Sequence, residues 1–487
     1  MFALVFFAII FVAILYFLKF NKSSRELEHI PYVSALPVIW ALFRNKPHDE
    51  IQDIVRKSSK GHDIYLSKLG PYVSLNIASP EYAKDLLMKS EDIAPKFEYR
   101  PGNVLYDFFG NGMVFSNGDK WRTYRNLANP AFNLALSPEM VGETTMDLFS
   151  FIQQNLNRPI DIFEVMQRTT IEVLGKLAFG YKFGCLESEE TPHIINIYKF
   201  IISTVESVYR IVFPWISNLP TEHNKKFHRA IKEFDEFIFD IIETKRNKIK
   251  NNSEKYTNNG RVDLLTSMLE LSEREGIHTD TKQLRDEMVI FFVAGHDTTS
   301  MSLSTSFYYL AKYPEMQEKA RAEVISILGN EPVIPTSDQL KEMKYINAII
   351  KESLRMFPPA SGLSFRTLEE QIKIGSHVIP KKTLCTVNIW QLLHDPENWE
   401  NPSQYNPERF LNNKKRHPFS WIPFSSGPRN CIGQNFSLME QRVILSMMLL
   451  KYNWTLPKNS INKDKLMLEA QFLLRPVDLK LIFTERN

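Results

Sequence analysis

The stretch Phe424-Ser-Ser-Gly427-Pro-Arg429-Asn-Cys431-Ile-Gly433 constrains this chain more than any other. Two glycines and a proline so close together read as a loop. The apolar pattern that follows predicts a helix from about Asn435 to Lys451. Cys431 therefore stands where a loop opens onto a helix, and backbone N–H groups there favour a thiolate. Gly427 permits a tight turn, and Gly433 leaves out a Cβ where something flat would approach closely. Arg429, two residues before the thiol, offers a fixed cation. A lone cysteine is ordinarily a buried structural thiol, which suits Cys185 and Cys385 but not this one. A thiolate ligand with a cation for carboxylates is what haem requires.

Three further patterns bear on this reading. Glu352-x-x-Arg355 puts a carboxylate and a guanidinium on one helix face. The same spacing recurs at Glu243–Arg246 and Glu318–Arg321, which read as solvated pairs, so spacing alone distinguishes nothing. Only the first pair is followed by Pro358-Pro359 and then by Pro407-Glu408-Arg409-Phe410. Ala294-Gly295-His296-Asp297-Thr298-Thr299 lies mid-way along a helical pattern over 284–313, ended by Pro314. As a plain polar patch it would carry a glycine costing about 1 kcal/mol against alanine and hydroxyls that bond back to their own backbone. Trp121-x-x-x-Arg125 is compatible with a surface cation–π contact.

F-x-x-G-x-R-x-C-x-G resembles the haem-binding signature of the cytochrome P-450 family, the haem-thiolate monooxygenases, at all five fixed positions. The other patterns follow in the family's order. By this resemblance Cys431 is the axial ligand of the haem iron, Phe424 packs beside the thiolate and Arg429 pairs with a propionate. Gly433 lies at the haem, and Trp121, Arg125 and Arg366 are further propionate candidates. Glu352, Arg355 and Arg409 match a buried ionic cluster that fixes the cysteine loop, a structural role. Thr298 and Asp297 match an alcohol–acid pair that relays protons on the distal haem face, and Gly295 matches a groove for dioxygen. His296 receives no role.

The implied fold is mainly α with small β-sheets, a single large helical domain around haem over residues 40–487. The patterning agrees. Residues 64–78 alternate around Gly70-Pro71 as a hairpin, most of 80–330 is helical, including 222–250, and residues 372–388 read as small strands. The polar, Asn-rich stretch 251–261 reads as a surface loop. Pro31 and Pro37 mark a linker over 21–39. Ahead of it, Met1–Leu18 carries no charged side chain. Eighteen residues at ~1.5 Å rise span ~27 Å, about one hydrocarbon core. Lys19, Lys22 and Arg25 follow the run, so residues 1–20 are expected to be an uncleaved transmembrane signal anchor. The expected location is the endoplasmic reticulum membrane, single-pass, with the catalytic domain cytosolic. A net charge of +3 is too small for a nucleic-acid surface, and three cysteines without a CxxC pair suggest neither a disulfide framework nor zinc.

The activity implied by the resemblance is insertion of one oxygen atom from O2 into a lipophilic small molecule, with haem b as cofactor. No G-x-G-x-x-G nucleotide fingerprint is present, so electrons are expected from outside the chain. The resemblance implies a separate NADPH-cytochrome P-450 reductase, with cytochrome b5 as an optional donor. Haem-thiolate isomerases or dehydratases that need no O2 are the rival enzymes, and a haem-thiolate sensor is the non-enzymatic rival. Asp297-Thr298 argues against the first, because such relatives commonly lose that pair. By the resemblance, segments 97–115, 198–220, 288–294, 360–365 and 470–474 would wall the substrate; they are rich in Phe, Ile, Leu and Val, so a lipophilic substrate is expected.

Overall fold

The structure, a computed structural model, describes residues 25–487 apart from residues 70–71, 135, 189, 208–209, 211–212, 252–261, 413, 470–472 and 487. The expected anchor over Met1–Leu18, the turn at Gly70-Pro71 and most of the Asn-rich loop lie outside the described residues. Among the described residues no helix is long and apolar enough to cross a membrane.

A central helix, Thr281–Lys312, runs for 32 residues. Asp280 caps it, its carboxylate accepting from the Gln283 N–H at 3.2 Å. Its apolar residues occupy every face, as befits a buried helix. The helices Ile162–Leu174, Glu222–Lys250, Lys344–Met356 and Gln434–Lys451 pack around it. The central helix starts three residues before the expected 284 and stops at Lys312. Pro314 opens the next helix, Pro314–Leu328, in whose first turn its missing N–H removes no bond.

The hairpin forms as expected: Ile64–Leu69 runs antiparallel to Tyr72–Ile77, with Leu66 opposite Leu75. Both strands belong to a five-stranded sheet that also holds Tyr32–Val33, Leu384–Val387 and Arg366–Thr367. The edge strand lies within the stretch 21–39 expected as a linker. Tyr32–Val33 pairs in parallel with Leu66–Ser67, Ala35–Phe43 is helical, and Leu27, Ile30 and Val33 are buried. Pro31 and Pro37 do not prevent this. One precedes the strand, and the other lies in the first turn of the helix, where no backbone donor is needed.

The Glu318–Arg321 pair also differs from expectation. Glu318 is exposed, but Arg321 is buried and donates to the carbonyls of Leu449 (2.9 Å) and Tyr452 (3.0 Å). Its guanidinium ties the helix Pro314–Leu328 to the end of the helix Gln434–Lys451. Spacing of charges cannot reveal this, because the partners are carbonyls some 130 residues away.

Candidate active site

A cavity of about 290 Å³ lies between the central helix and the loop carrying Cys431. Phe424, Arg429, Cys431 and Gly433 line one side, and Ala294, Gly295 and Thr298 line the other. The cysteine loop is held from several directions. The Cys431 N–H donates to the Phe424 carbonyl at 2.9 Å. Arg125 donates to the Asn430 carbonyl at 3.0 Å and to its side-chain oxygen at 2.9 Å. Gly427 has φ +76°, and a Cβ there would sit 2.3 Å from the Leu87 carbonyl oxygen. Only glycine meets both conditions.

Cys431 lies deep among protein atoms, yet its own surface is exposed, because it opens onto the cavity. Burial pushes its thiol up, while the N–H groups of Gly433 and Gln434 and the Arg125 guanidinium pull the other way. These are donors that favour a thiolate at the start of a helix. A Cβ on Gly433 would find nothing nearer than Phe132 at 3.9 Å, so this glycine borders open space. Cys185 and Cys385 are buried, and burial lifts the Cys185 thiol to about 12.

On the opposite wall the central helix shows the cavity a narrow window. Ala294 is exposed there, while Gly295 and Thr298 are half-buried. These residues share a face at helical spacing. Thr298 Oγ1 donates to the Ala294 carbonyl at 2.7 Å. The back-bond leaves the hydroxyl oxygen able to accept from the cavity side. Gly295 answers a packing demand as well as bordering the cavity: a Cβ would come within 2.8 Å of Leu174 Cδ1.

Asp297 lies about 100° around the helix from Thr298. It is buried and is not among the cavity-lining residues. Its Oδ1 accepts from Gln167 Nε2 at 2.7 Å, and its Oδ2 accepts from the Tyr198 hydroxyl. His296 Nε2 lies 3.3 Å away and Arg475 Nη2 3.7 Å away. Burial pushes this carboxyl up, but His296, Arg475 and Tyr198 outweigh it and hold it below the usual carboxylate range. The expected acid and alcohol are thus neighbours in sequence on different faces of the helix. His296 is part of the acid's surroundings.

Three of the four propionate candidates line the cavity, and Arg366 is not among its lining residues. Trp121, Arg125 and Arg429 line it, and Lys96, which no motif announced, lines it too. Arg429 is already engaged: it pairs with Glu91, donates to the carbonyls of Met113 (3.0 Å) and Ser116 (2.9 Å), and lies 4.5 Å over the Trp121 ring. Trp121 is buried and stacks with Arg429, so its contact is not the surface pair with Arg125 that spacing allowed. Arg366 is buried and donates to the Ala94 carbonyl at 2.9 Å, while its Nη2 has no hydrogen-bond partner among the described residues. Burial, with Arg366 and Arg429 nearby, pushes the Lys96 ammonium well below its ordinary value. Burial also pulls Arg429 down to about 10. Three of these cations, Lys96, Arg366 and Arg429, share Glu91 as an acidic charge partner. A group bringing two carboxylates would relieve this excess. The orphaned Arg366 donor, the uncovered Gly433 and the cavity-facing thiol all fit haem.

Glu352, Arg355 and Arg409 do form one buried cluster. Glu352 accepts from Arg355 Nε (2.8 Å) and Nη2 (2.9 Å), from Arg409 Nε (3.0 Å) and from the Asn406 N–H (2.8 Å). Arg355 also donates to the carbonyls of Leu393 and Pro402, and Arg409 to those of Glu400 and Gln404. The cluster pins the segment 400–409 to the helix Lys344–Met356.

Residues 30–483 match the cytochrome P450 family. The chain is 32% identical over 419 residues to the ultra-long-chain fatty acid omega-hydroxylase of Homo sapiens, covering 82% of this chain and 78% of that protein. It is 29% identical over 501 aligned positions to cytochrome P450 4c21 of Blattella germanica, covering 98% of each. It is 27% identical over 483 residues to cytochrome P450 4V2 of Mus musculus, covering 94% of this chain and 90% of that protein. With the match spanning the central helix, the ionic cluster and the cysteine loop alike, this chain belongs to the cytochrome P450 family and is a haem-thiolate monooxygenase acting on lipophilic substrates.

Proposed function

We propose that the substrate is a long-chain fatty acid hydroxylated at its terminal carbon: R–CH3 + O2 + NADPH + H+ gives R–CH2OH + H2O + NADP+. The observation that carries this is the arrangement of Cys431 and Thr298 on facing walls of a largely apolar cavity. Met113, Val114, Leu177, Ile290, Phe291 and Leu363 line it, a surface suited to an alkyl chain. The omega-hydroxylase among the relatives supplies the substrate class.

Haem b, when bound, supplies the oxygen activation and the C–H oxidation. Cys431 would ligate its iron, and Gly433 leaves room for the ring. Lys96, Arg125, Arg366 and Trp121 would hold the propionates, with Arg429 sharing its charge between them and Glu91. The apolar walls exclude water and orient the chain end. Thr298 holds a hydroxyl at the cavity surface, where it can accept and return a proton. Asp297, one residue earlier, exchanges protons with the side chains behind the helix. The Glu352–Arg355–Arg409 cluster keeps the cysteine loop in register.

Electrons enter from an NADPH-dependent flavin reductase, with cytochrome b5 as a second donor. Residues 1–20 anchor the catalytic domain on the cytosolic side of the endoplasmic reticulum membrane. The exposed Leu36, Trp40 and Phe43 of the helix Ala35–Phe43 support contact with a lipid surface.

The test is incubation of the purified enzyme and reductase with saturated fatty acids from dodecanoic to hexacosanoic acid. Terminal hydroxy acids, with one 18O atom incorporated from 18O2, are expected. Products formed without O2, or no turnover of any fatty acid, would overturn this substrate assignment.

A further inference from the structure

Behind the Asp297–Thr298 pair lies a group of buried and half-buried side chains whose roles the chemistry above leaves unassigned. Glu206 caps the C-terminal end of the helix His193–Val205 and is 4% exposed. Its carboxyl group lies 3.2 Å from Arg475 Nη2. The same guanidinium nitrogen lies 3.7 Å from Asp297 Oδ2. One cation therefore stands between two buried carboxyl groups, on elements far apart in sequence. Arg475 Nε has no hydrogen-bond partner among the described residues, and Nη2 lies within 4 Å of both carboxyl groups, nearer to Glu206.

The other charged and titratable groups facing Glu206 are few. Asp297 comes from the central helix and Glu469 from the strand Leu468–Glu469, and the Leu473 N–H approaches from the following segment. Tyr198, on Glu206's own helix, carries the hydroxyl that bonds Asp297. His296 faces Asp297 from the central helix.

We infer that Arg475 is shared between Glu206 and Asp297, and that its allocation sets how readily Asp297 takes up and passes on a proton. Glu206 and Arg475 are then positioning residues for the proton relay, and the inference rests on the relay role proposed for Asp297. A carboxylate held by a full cation is a weak base. When Glu206 is neutral, Arg475 belongs to Asp297, whose oxygens are also held by Gln167 and Tyr198. When Glu206 ionises, it draws the guanidinium towards itself and Asp297 becomes more basic. Burial, opposed by Arg475 and reinforced by Asp297, lifts Glu206 to about 7. The exchange therefore falls near neutral pH. Its sign is definite: Asp297 is released as pH rises through this value and restrained as pH falls.

The test uses the haem-loaded full chain with excess reductase and octadecanoic acid as the probe. In wild type kcat should rise between about pH 6 and pH 8, by at most about tenfold if Asp297 gains one pKa unit. Glu206→Gln, which mimics the neutral acid, should stay at the low-pH rate without a step. Arg475→Met should also abolish the step, while Arg475→Lys, which keeps a cation, should retain it. A readout independent of turnover is infrared difference spectroscopy. A protonated-carboxyl C=O band should titrate near neutral pH in wild type and be missing in Glu206→Gln. A step that persists in Glu206→Gln, or no such band in wild type, overturns the inference. Asp297→Asn separates it from the reading beneath it. If that variant turns over like wild type, the relay itself fails. If it is slow while Glu206→Gln keeps the wild-type profile, only the sharing of Arg475 fails.

Discussion

Replacing Glu352 by alanine removes the acceptor common to two buried guanidinium groups. Four hydrogen bonds are lost at once, two from Arg355, one from Arg409 and one from the Asn406 N–H. Glu352 and Arg355 are fully buried and Arg409 is 7% exposed, so water cannot replace the carboxylate. Breaking a buried pair from one side costs about 3–5 kcal/mol, because the remaining charge keeps its desolvation penalty. For a domain of about 450 residues, an unfolding entropy near 2.1 cal/mol/K per residue gives about 1 kcal/mol per degree. The expected fall in apparent Tm is therefore about 3–5 °C. The segment 400–409 leads into the cysteine loop, so haem retention should fall further than stability alone requires. The assay pairs thermal unfolding with the fraction of protein giving the red-shifted Soret band of the reduced carbon monoxide complex. Glu243→Ala is the control, since its carboxylate is half exposed and lies 3.5 Å from Arg246, a pair worth less than about 1 kcal/mol. If Glu352→Ala keeps its Tm and its full band, the cluster does not support the loop and the reasoning is wrong.

Cys431→Ala should abolish the red-shifted Soret band, whereas Cys185→Ala and Cys385→Ala should preserve it; the reduced carbon monoxide spectrum decides. Thr298→Ala should keep the fold and continue to consume NADPH, but release more hydrogen peroxide and less product per NADPH; equal coupling to wild type would remove the hydroxyl from the relay. Gly427→Ala meets both a positive φ and a carbonyl 2.3 Å from the new Cβ. It should lower apparent Tm by about 1–3 °C at the unfolding entropy used above, from a strain of about 1–3 kcal/mol, and should yield little haem-bound protein; a fully haem-loaded variant would show that the turn can relax.

The signature Phe424–Gly433 carried the family and the loop-to-helix geometry, and named the candidate ligand, without any coordinates, because local chemistry at fixed spacing needs no tertiary context. The helices over 222–250 and around 284–313 were legible for the same reason: their periodicity or length is a local property. The fate of each charged side chain was not local. Glu318–Arg321 and Glu352–Arg355 share one spacing, yet Arg321 serves distant carbonyls while Arg355 closes an ionic cluster. Asp297 and Thr298 are adjacent in sequence, and the helix turns one into the cavity wall and the other into a buried cage. That cage draws Gln167, Tyr198, Glu206 and Arg475 from three separate segments, and Lys96 reaches the cavity from a fourth. The chain alone decides which groups are available and which can bind a metal. Only the packed fold decides which charges lose water, because burial depends on residues hundreds of positions apart, and burial sets whether a charge is solvated, paired or shared.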